Sequence, residues 1–236
     1  MMKDRINRPV TTLFMLMSAD GKISTGVSDE RDVDKDFPLI PGVKEGLHQY
    51  YELEQQTDLW SFNSGRVQAK LGVNEKEKPE KTPVSFVLAD NTHLNENGIR
   101  YFCARSKEFV LITSNQNHPA FQVNEDNLHI ILQEKTDFPE TLRILKEEYG
   151  CERLTVQSGG TLNSIFVRKG LIDSLDIVVA PVLIGGKDTP TLIDGESLET
   201  GEDLAKLGIL KLLSCDVLGD SYLRLRYQVN PKEEKE

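Results

Sequence analysis

The chain has 236 residues, which suits one large domain, and we expect a single domain over residues 1–236. Hydrophobic residues make up 38% of the chain and charged residues 28%, a composition typical of a soluble globular protein and not of a disordered one. The formal net charge of -10 argues against general nucleic-acid binding, which needs a basic face.

The first predicted elements are a buried strand and a long loop. Residues 9–17 are apolar and β-branched, which predicts a strand, and the polar residues 18–21 end it. Asp20 and Gly21 can present backbone groups to a ligand at the carboxyl edge of a sheet, or form a simple turn. Residues 24–41 are charged and lack periodicity, which predicts a loop. Its length is typical of a lid that closes over a substrate, with a plain connection as the alternative.

The rest of the chain alternates short apolar runs with helical patterns. Strands are predicted at residues 58–62, 83–89, 108–113, 128–132, 153–157 and 175–180, a polar bend at 63–65, and helices at 43–54, 139–149 and 161–169. A hairpin follows at 211–218 and 221–229 with Gly219 and Asp220 as a two-residue turn, and the tail 231–236 is expected to be frayed. Alternating strands and helices predict an α/β fold with a mainly parallel central sheet, to which the hairpin adds an antiparallel edge.

Two glycine pairs stand where predicted strands end. Ser158, Gly159, Gly160 and Thr161 follow a strand and open a helix, where glycines let a phosphate approach the backbone and free N–H groups can hold it. Glycines in such turns are also common for steric reasons alone. Residues 185–186, just past a central strand, lie near a ligand or act as a loop hinge.

Cysteines and histidines predict no metal site. The three cysteines are widely spread without a CxxC pair, as expected of reduced thiols in a cytoplasmic protein, and the four histidines form no metal-spaced pair. The first eight residues lack the apolar stretch of a signal peptide, and no run is long enough to cross a bilayer. We therefore expect a cytoplasmic protein that does not bind membranes. Glycine turns without a nucleophile motif favour hydride transfer, in which a cofactor supplies the chemistry.

Several motifs together resemble a known family. They are Arg8-Pro9, MSADGKI at residues 17–23, SGGTLN at 158–163, GLIDSL at 170–175 and APVLIGG at 180–186. In this order they resemble the reductase domain of bacterial riboflavin biosynthesis deaminase-reductases, which belongs to the dihydrofolate-reductase-like superfamily. The resemblance implies a three-layer α/β sandwich, a homodimer, and NADPH lying across the carboxyl edge of the sheet.

The resemblance also implies where the ligands bind. Cofactor contacts are expected at Ser158, Gly159, Gly160, Thr161 and Leu162, with the pyrophosphate at the last four. The nicotinamide is expected near Met17, Ser18, Ala19 and Asp20, with Ser18 and Ala19 as its contacts. Substrate contacts are expected at Asp20 and Ser28, and no catalytic residue is identified. The 2′-phosphate of NADPH needs a cation or hydroxyl near the end of a strand, and Arg66 is the favoured candidate. The other candidates are Asn63, Ser64 and Gly65 after the second strand and Thr113, Ser114 and Asn115 after a later one.

The family's substrates are ribosylaminopyrimidine 5′-phosphates, reduced by hydride transfer to the sugar C1′. This chain has Ser158 where the family often has glutamate, and Arg66 and Lys70 where it has threonine and aspartate. Two alternatives therefore stay open: an NADPH-dependent reductase of a pterin or another small carbonyl or imine compound, and a dinucleotide-binding module without turnover.

Overall fold

A computed structural model describes residues 7–230, and the tail expected to be frayed, 231–236, lies outside the described residues, as do residues 1–6. Strands and helices alternate along most of the chain. In chain order they are β1 (Val10–Ser18), α1 (Val33–Asp36), α2 (His48–Glu54), β2 (Trp60–Ser64), α3 (Gly65–Lys70), β3 (Ser85–Ala89), α4 (Glu96–Arg105), β4 (Phe109–Thr113), β5 (Leu128–Leu132), α5 (Phe138–Glu147), β6 (Arg153–Val156), α6 (Gly160–Arg168), β7 (Ser174–Ala180), β8 (Ile209–Val217) and β9 (Leu223–Asn230).

These elements fall into two compact units. Within the described residues, the first comprises residues 7–10 and Asp58–Ser158, and the second comprises Thr11–Thr57 and residues 159–230. The prediction of a single domain stays a prediction. Within residues 7–230, no helix is both long and apolar enough to span a membrane.

The first unit contains a fully parallel five-stranded sheet in the order β5-β4-β3-β2-β6. All five residues of β4 are buried, as expected of a parallel strand covered on both faces. The apolar core of the first unit consists of residues from β3, α4, β4 and the loop after β4, among them Leu88, Ile99, Phe102 and Leu111. The carboxyl ends of β2, β3 and β4 therefore come together at one edge of the sheet.

The second unit contains a four-stranded sheet in the order β1-β7-β9-β8, in which β1 and β7 are parallel and the last two strands antiparallel. One face of β1 packs on α2, where the Phe14 ring stacks on Tyr50 with 5.2 Å between ring centroids. Tyr222 is fully buried and its hydroxyl donates to the Val43 carbonyl at 2.6 Å. The predicted α/β class, with a mainly parallel sheet and an antiparallel C-terminal hairpin, is confirmed.

Several local predictions were wrong. Asn63 and Ser64 complete β2 and Gly65 starts α3, so residues 63–65 are not a bend. The hairpin turn is wider than two residues, because the buried Tyr222 bonds back to Leu218 and the chain between them makes a 3-10 turn, Gly219–Ser221. The loop at 24–41 contains α1 and a 3-10 turn, Phe37–Leu39, while α4 was not predicted at all.

Candidate functional site

The turn after β1 is built by alternating polar side chains. Ser18 is fully buried, and its hydroxyl accepts the Lys22 N–H at 2.9 Å and donates to Asp20 at 2.5 Å. The Asp20 carboxylate also accepts the N–H groups of Ile184 at 3.1 Å and Gly185 at 2.6 Å. The bond from Ser18, together with those two backbone bonds, lowers the pKa of Asp20 to about 2. Asp20 is therefore a carboxylate at neutral pH, with three hydrogen bonds to its own chain.

A segment that we call the strap, residues 184–194, connects this turn to the first turn of α6. Just before the strap begins, the Val182 carbonyl accepts the Ala19 N–H. Near its far end, the Leu192 N–H donates to the Gly21 carbonyl at 3.0 Å, and the Leu192 carbonyl accepts from the Asn163 side-chain amide at 3.0 Å. The strap thus brings two groups of predicted cofactor residues, 18–19 and 159–162, into one hydrogen-bonded assembly within the second unit.

The N-terminus of α6 has free backbone donors. Gly159 occupies the N-cap position and no side chain caps the helix. The N–H groups of Gly160 and Thr161 find no acceptor among the described residues. Thr161 is exposed, Leu162 is half-buried and Ser158, the residue before the cap, is buried. Unsatisfied N–H groups at a helix N-terminus, with the positive end of the helix dipole, suit an anionic phosphate.

Gly160 has a structural reason to be glycine. A Cβ at this position would clash with the Thr191 carbonyl and the Asp194 carboxylate of the strap. Asp194 is itself held by the Thr191 hydroxyl at 2.6 Å, and its N–H donates to the Gly160 carbonyl at 3.0 Å. A larger side chain at Gly160 would therefore displace the strap whether or not a phosphate binds there.

The residues predicted to select the 2′-phosphate lie in the first unit. Asn63 is buried at the end of β2, where its amide donates to the Ser61 hydroxyl at 2.9 Å and accepts from Gln68 at 3.2 Å. Arg66 is exposed in the first turn of α3. Asn63 therefore serves mainly to hold the end of β2 and α3, while Arg66 is an exposed residue of α3.

A buried carboxylate, not predicted from the sequence, supports the same sheet edge. Asp90 follows β3 and is fully buried, with His118 at 3.0 Å, His93 at 2.8 Å and the Leu94 N–H at 2.9 Å. Because His118 Nδ1 accepts the Ala120 N–H, its Nε2 carries the proton that bonds Asp90. Burial raises the pKa of Asp90, but the bonds from His118, Leu94 and His93 outweigh burial, so the pKa lies below its ordinary value.

The loop after β1 places Ser28 at an exposed tip. Residues 27–31 are all exposed, whereas Val33 and Phe37 are buried in the core of the second unit. Three of the four aspartates of the loop at 24–41, namely Asp32, Asp34 and Asp36, have partners described here. Asp32 caps α1, Asp34 accepts from the Tyr51 hydroxyl, and Asp36 pairs with Arg31 and Thr25. Ser28 accepts the N–H groups of Glu30 and Arg31, which lie in the tip itself, so its substrate role stays a prediction.

The chain matches the RibD C-terminal domain family over residues 9–223. It is 26% identical over 207 residues to 2,5-diamino-6-ribosylamino-4(3H)-pyrimidinone 5′-phosphate reductase of Methanothermobacter thermautotrophicus, covering 85% of this chain and 90% of the relative. It is 36% identical over 216 residues to riboflavin biosynthesis protein RibD of Bacillus amyloliquefaciens, covering 86% of this chain and 54% of that protein.

Solved structures share the fold. Acinetobacter baumannii RibD superposes with a TM-score of 0.66 at 16% identity, covering 95% of this chain and 59% of that one. The Saccharomyces riboflavin biosynthesis reductase Rib7 superposes with a TM-score of 0.60 at 14% identity, covering 98% and 93%. The chain thus spans a little over half the length of the RibD proteins and most of the length of the separate reductases. Its reductase relatives imply a nicotinamide dinucleotide as the cofactor.

Proposed function

Because the chain belongs to the RibD C-terminal domain family, we propose that it is an NADPH-dependent reductase of a ribosylaminopyrimidine 5′-phosphate in riboflavin biosynthesis. The observation that carries the proposal is the similarity to the archaeal pyrimidinone phosphate reductase, which covers 90% of that enzyme. When bound, NADPH supplies the hydride that reduces the sugar C1′ and converts the ribosyl group into a ribityl chain. The protein's residues bind and orient the two reactants, which is how hydride-transfer enzymes accelerate the reaction.

The substrate is tested by NADPH oxidation with a small panel. We expect turnover with the 2,5-diaminopyrimidinone ribosylamino phosphate or its deaminated uracil form, and none with dihydrofolate or simple carbonyl compounds. Turnover only with a pterin or a simple carbonyl would favour the alternative reductase. NADPH binding without turnover of any compound would favour a dinucleotide-binding module and contradict the proposed activity.

The pyrophosphate of NADPH is proposed to bind at the N-terminus of α6, to Gly159, Gly160, Thr161 and Leu162, with Ser158 beside it. The two free N–H groups of this turn support the assignment. Since Gly160→Val would displace the strap, the exposed Thr161 gives a cleaner test. Thr161→Glu places a negative charge that suits the helix dipole but repels a pyrophosphate.

We expect Thr161→Glu to weaken NADPH binding at least about tenfold, or about 1.4 kcal/mol, with no loss of thermal stability. Thr161→Gln has the same shape without the charge and is the matched control, so it should change affinity less than about threefold. Equal NADPH affinity in the two variants would contradict binding of the pyrophosphate at the N-terminus of this helix.

Arg66 is proposed to select NADPH over NADH. It is an exposed arginine just after the carboxyl end of β2, and a guanidinium binds phosphates by paired hydrogen bonds. Arg66→Gln should weaken NADPH binding at least about tenfold and leave NADH binding unchanged, whereas Lys70→Gln on the same helix should change neither. A loss of both affinities together, or of neither, would contradict this role.

A homodimer is proposed through β8. This edge strand of the second unit exposes five apolar residues, namely Ile209, Leu210, Leu212, Leu213 and Val217, each at 44% or more. Consecutive residues of a regularly paired strand point to opposite faces, so exposure of both Ile209 and Leu210 leaves both faces of this strand uncovered. Long exposed apolar edge strands are a hazard unless another chain covers them.

The oligomeric state tests this interface. Light scattering should give twice the monomer mass, and Leu212→Glu should reduce it to the monomer. Leu132→Glu is the control, because Leu132 is an exposed leucine on β5, the edge strand of the first unit. A wild-type monomer would refute the proposal.

A cytoplasmic location is part of the same proposal. Cys103, Cys151 and Cys215 are free thiols, and the first two are buried. Free thiols persist in a reducing compartment. Cell fractionation should recover the protein with cytoplasmic enzymes, and its recovery with membranes or in the medium would contradict this location.

A further inference from the structure

Lys22 is a buried cation in the β1 turn. Only 8% of its surface is exposed, and its ammonium donates to the carbonyls of Gly186 at 2.7 Å and Thr189 at 2.9 Å. Among the described residues, no carboxylate lies within ion-pair distance of it. Burying an ammonium without a counter-charge is unfavourable unless hydrogen bonds compensate. The two carbonyls are that compensation, and both belong to the strap.

Asp20 holds the same part of the strap through its backbone N–H groups, whereas Lys22 holds it through backbone carbonyls. Its carboxylate accepts the N–H groups of Ile184 and Gly185, while Lys22 donates to carbonyls one and four residues further on. Most of residues 183–188 is exposed, and Gly185 and Gly186 adopt positive φ. Ile184 packs against the apolar core of the second unit, but residues 185–188 are all exposed. Apolar burial therefore contributes little to fixing residues 185–188, and the charged side chains of Asp20 and Lys22 do most of it.

We infer that Lys22, with Asp20 opposite, is a positioning residue that clamps residues 184–189 beside the nicotinamide end of the cofactor. The inference rests on the proposed function, because the family resemblance behind that function puts the nicotinamide near Ala19, and Ala19 donates to Val182, two residues before the strap. A cofactor held by its pyrophosphate at α6 keeps its binding energy when the clamp opens. The alignment needed for hydride transfer is lost, because a small misplacement of reacting groups lowers the rate strongly.

Lys22→Met tests the clamp, since it keeps the apolar stem and removes the ammonium. We expect kcat to fall at least about tenfold while the Kd of NADPH changes less than about threefold. Hydrogen exchange of the Ile184 and Gly185 amides should become faster. Lys44→Met, at an exposed lysine of the second unit outside the strap, is the matched control and should leave all three quantities unchanged.

Asp20→Asn probes the clamp from the exposed side and decides the matter if Lys22→Met fails to fold. It should also lower kcat with little change in NADPH affinity. A rise in the substrate KM at unchanged kcat would instead make Asp20 a substrate ligand and overturn the clamp, as would unchanged kcat in both variants. If the wild-type protein shows no turnover, the proposed function fails. In that case amide exchange still tests the clamp, and equal exchange in the wild type and Lys22→Met refutes it.

Discussion

At the scale of single residues, the absence of a side chain at Gly65 leaves the space that the Asp90 side chain occupies. A Cβ on Gly65 would come within 2.6 Å of the Asp90 Oδ1, and Asp90 cannot move because His118, His93 and the Leu94 N–H all hold it. Gly65→Ala should therefore destabilise the protein by about 1–3 kcal/mol, as overpacking of a rigid site does. Urea unfolding measures the change. Gly201→Ala, where a Cβ would meet nothing within 4 Å, is the control, and an equal effect of the two would contradict this packing argument.

Asp90 also makes stability depend on pH. Its pKa in the folded protein is below the unfolded value of about 4, so the stabilisation is complete above that value and is lost as the pH falls through the folded pKa. The free energy of unfolding of the wild type should thus decline below about pH 4 more steeply than that of Asp90→Asn. Asp126→Asn, at an exposed position, should keep the wild-type decline. Parallel curves for the wild type and Asp90→Asn would exclude Asp90 as a source of acid sensitivity.

The contacts of Gly65, Asp90 and Lys22 could not be predicted from the sequence. Gly65 and Asp90 are 25 positions apart, and only the parallel pairing of β2 with β3 brings them together. Lys22 stood inside the motif that suggested the family, yet its partners come from residues 186 and 189. Motifs predict which segments matter, while long-range contacts decide what each side chain does.

At the scale of elements, the loop at 24–41 divides into a free tip and an anchored end. Val27 is 68% exposed, whereas Val33 is 6% and Phe37 0% exposed. Thermolysin, which cuts before apolar residues, should cleave the Gly26–Val27 bond and spare those before Val33 and Phe37. NADPH plus substrate should slow the cleavage if the tip closes over the pocket. Equal rates with and without ligands would leave this tip a plain surface loop, and cutting before Phe37 would contradict the anchored end.

Elements with strong local signals were predicted well, and those that depend on distant partners were not. β5 matches its predicted range, residues 128–132, because its apolar run is compact. The helix α4 was not predicted because it contains Gly98, a weak helix former. Glycine is needed at this position because a Cβ would clash with Asn74. Its start is set by the Asn95 side chain, which accepts the Gly98 N–H. Tertiary contact thus overrides propensity in this segment.

At the scale of the whole molecule, the chain passes between its two units three times, after Val10, Thr57 and Ser158. The first passage falls inside β1, and the last falls within three residues between β6 and α6. Boundaries between independent domains usually lie in exposed, flexible linkers. A boundary inside a strand is therefore not typical of two independent domains. The composition likewise shows no linker at these positions, which is why the sequence predicted one domain over residues 1–236.

We therefore expect the two units to unfold as one cooperative domain. Hydrogen exchange measures this through two buried strands, at Leu111 in β4 of the first unit and Val178 in β7 of the second. Gly65→Ala acts in the first unit, so in a single domain it should lower the protection of the Val178 amide as much as that of Leu111. If only the Leu111 amide loses protection, the units are independent domains. Gly201→Ala should change the protection of neither amide, because its Cβ meets no neighbour. If Gly201→Ala also lowers the protection of these amides, the effect of Gly65→Ala cannot be attributed to its site.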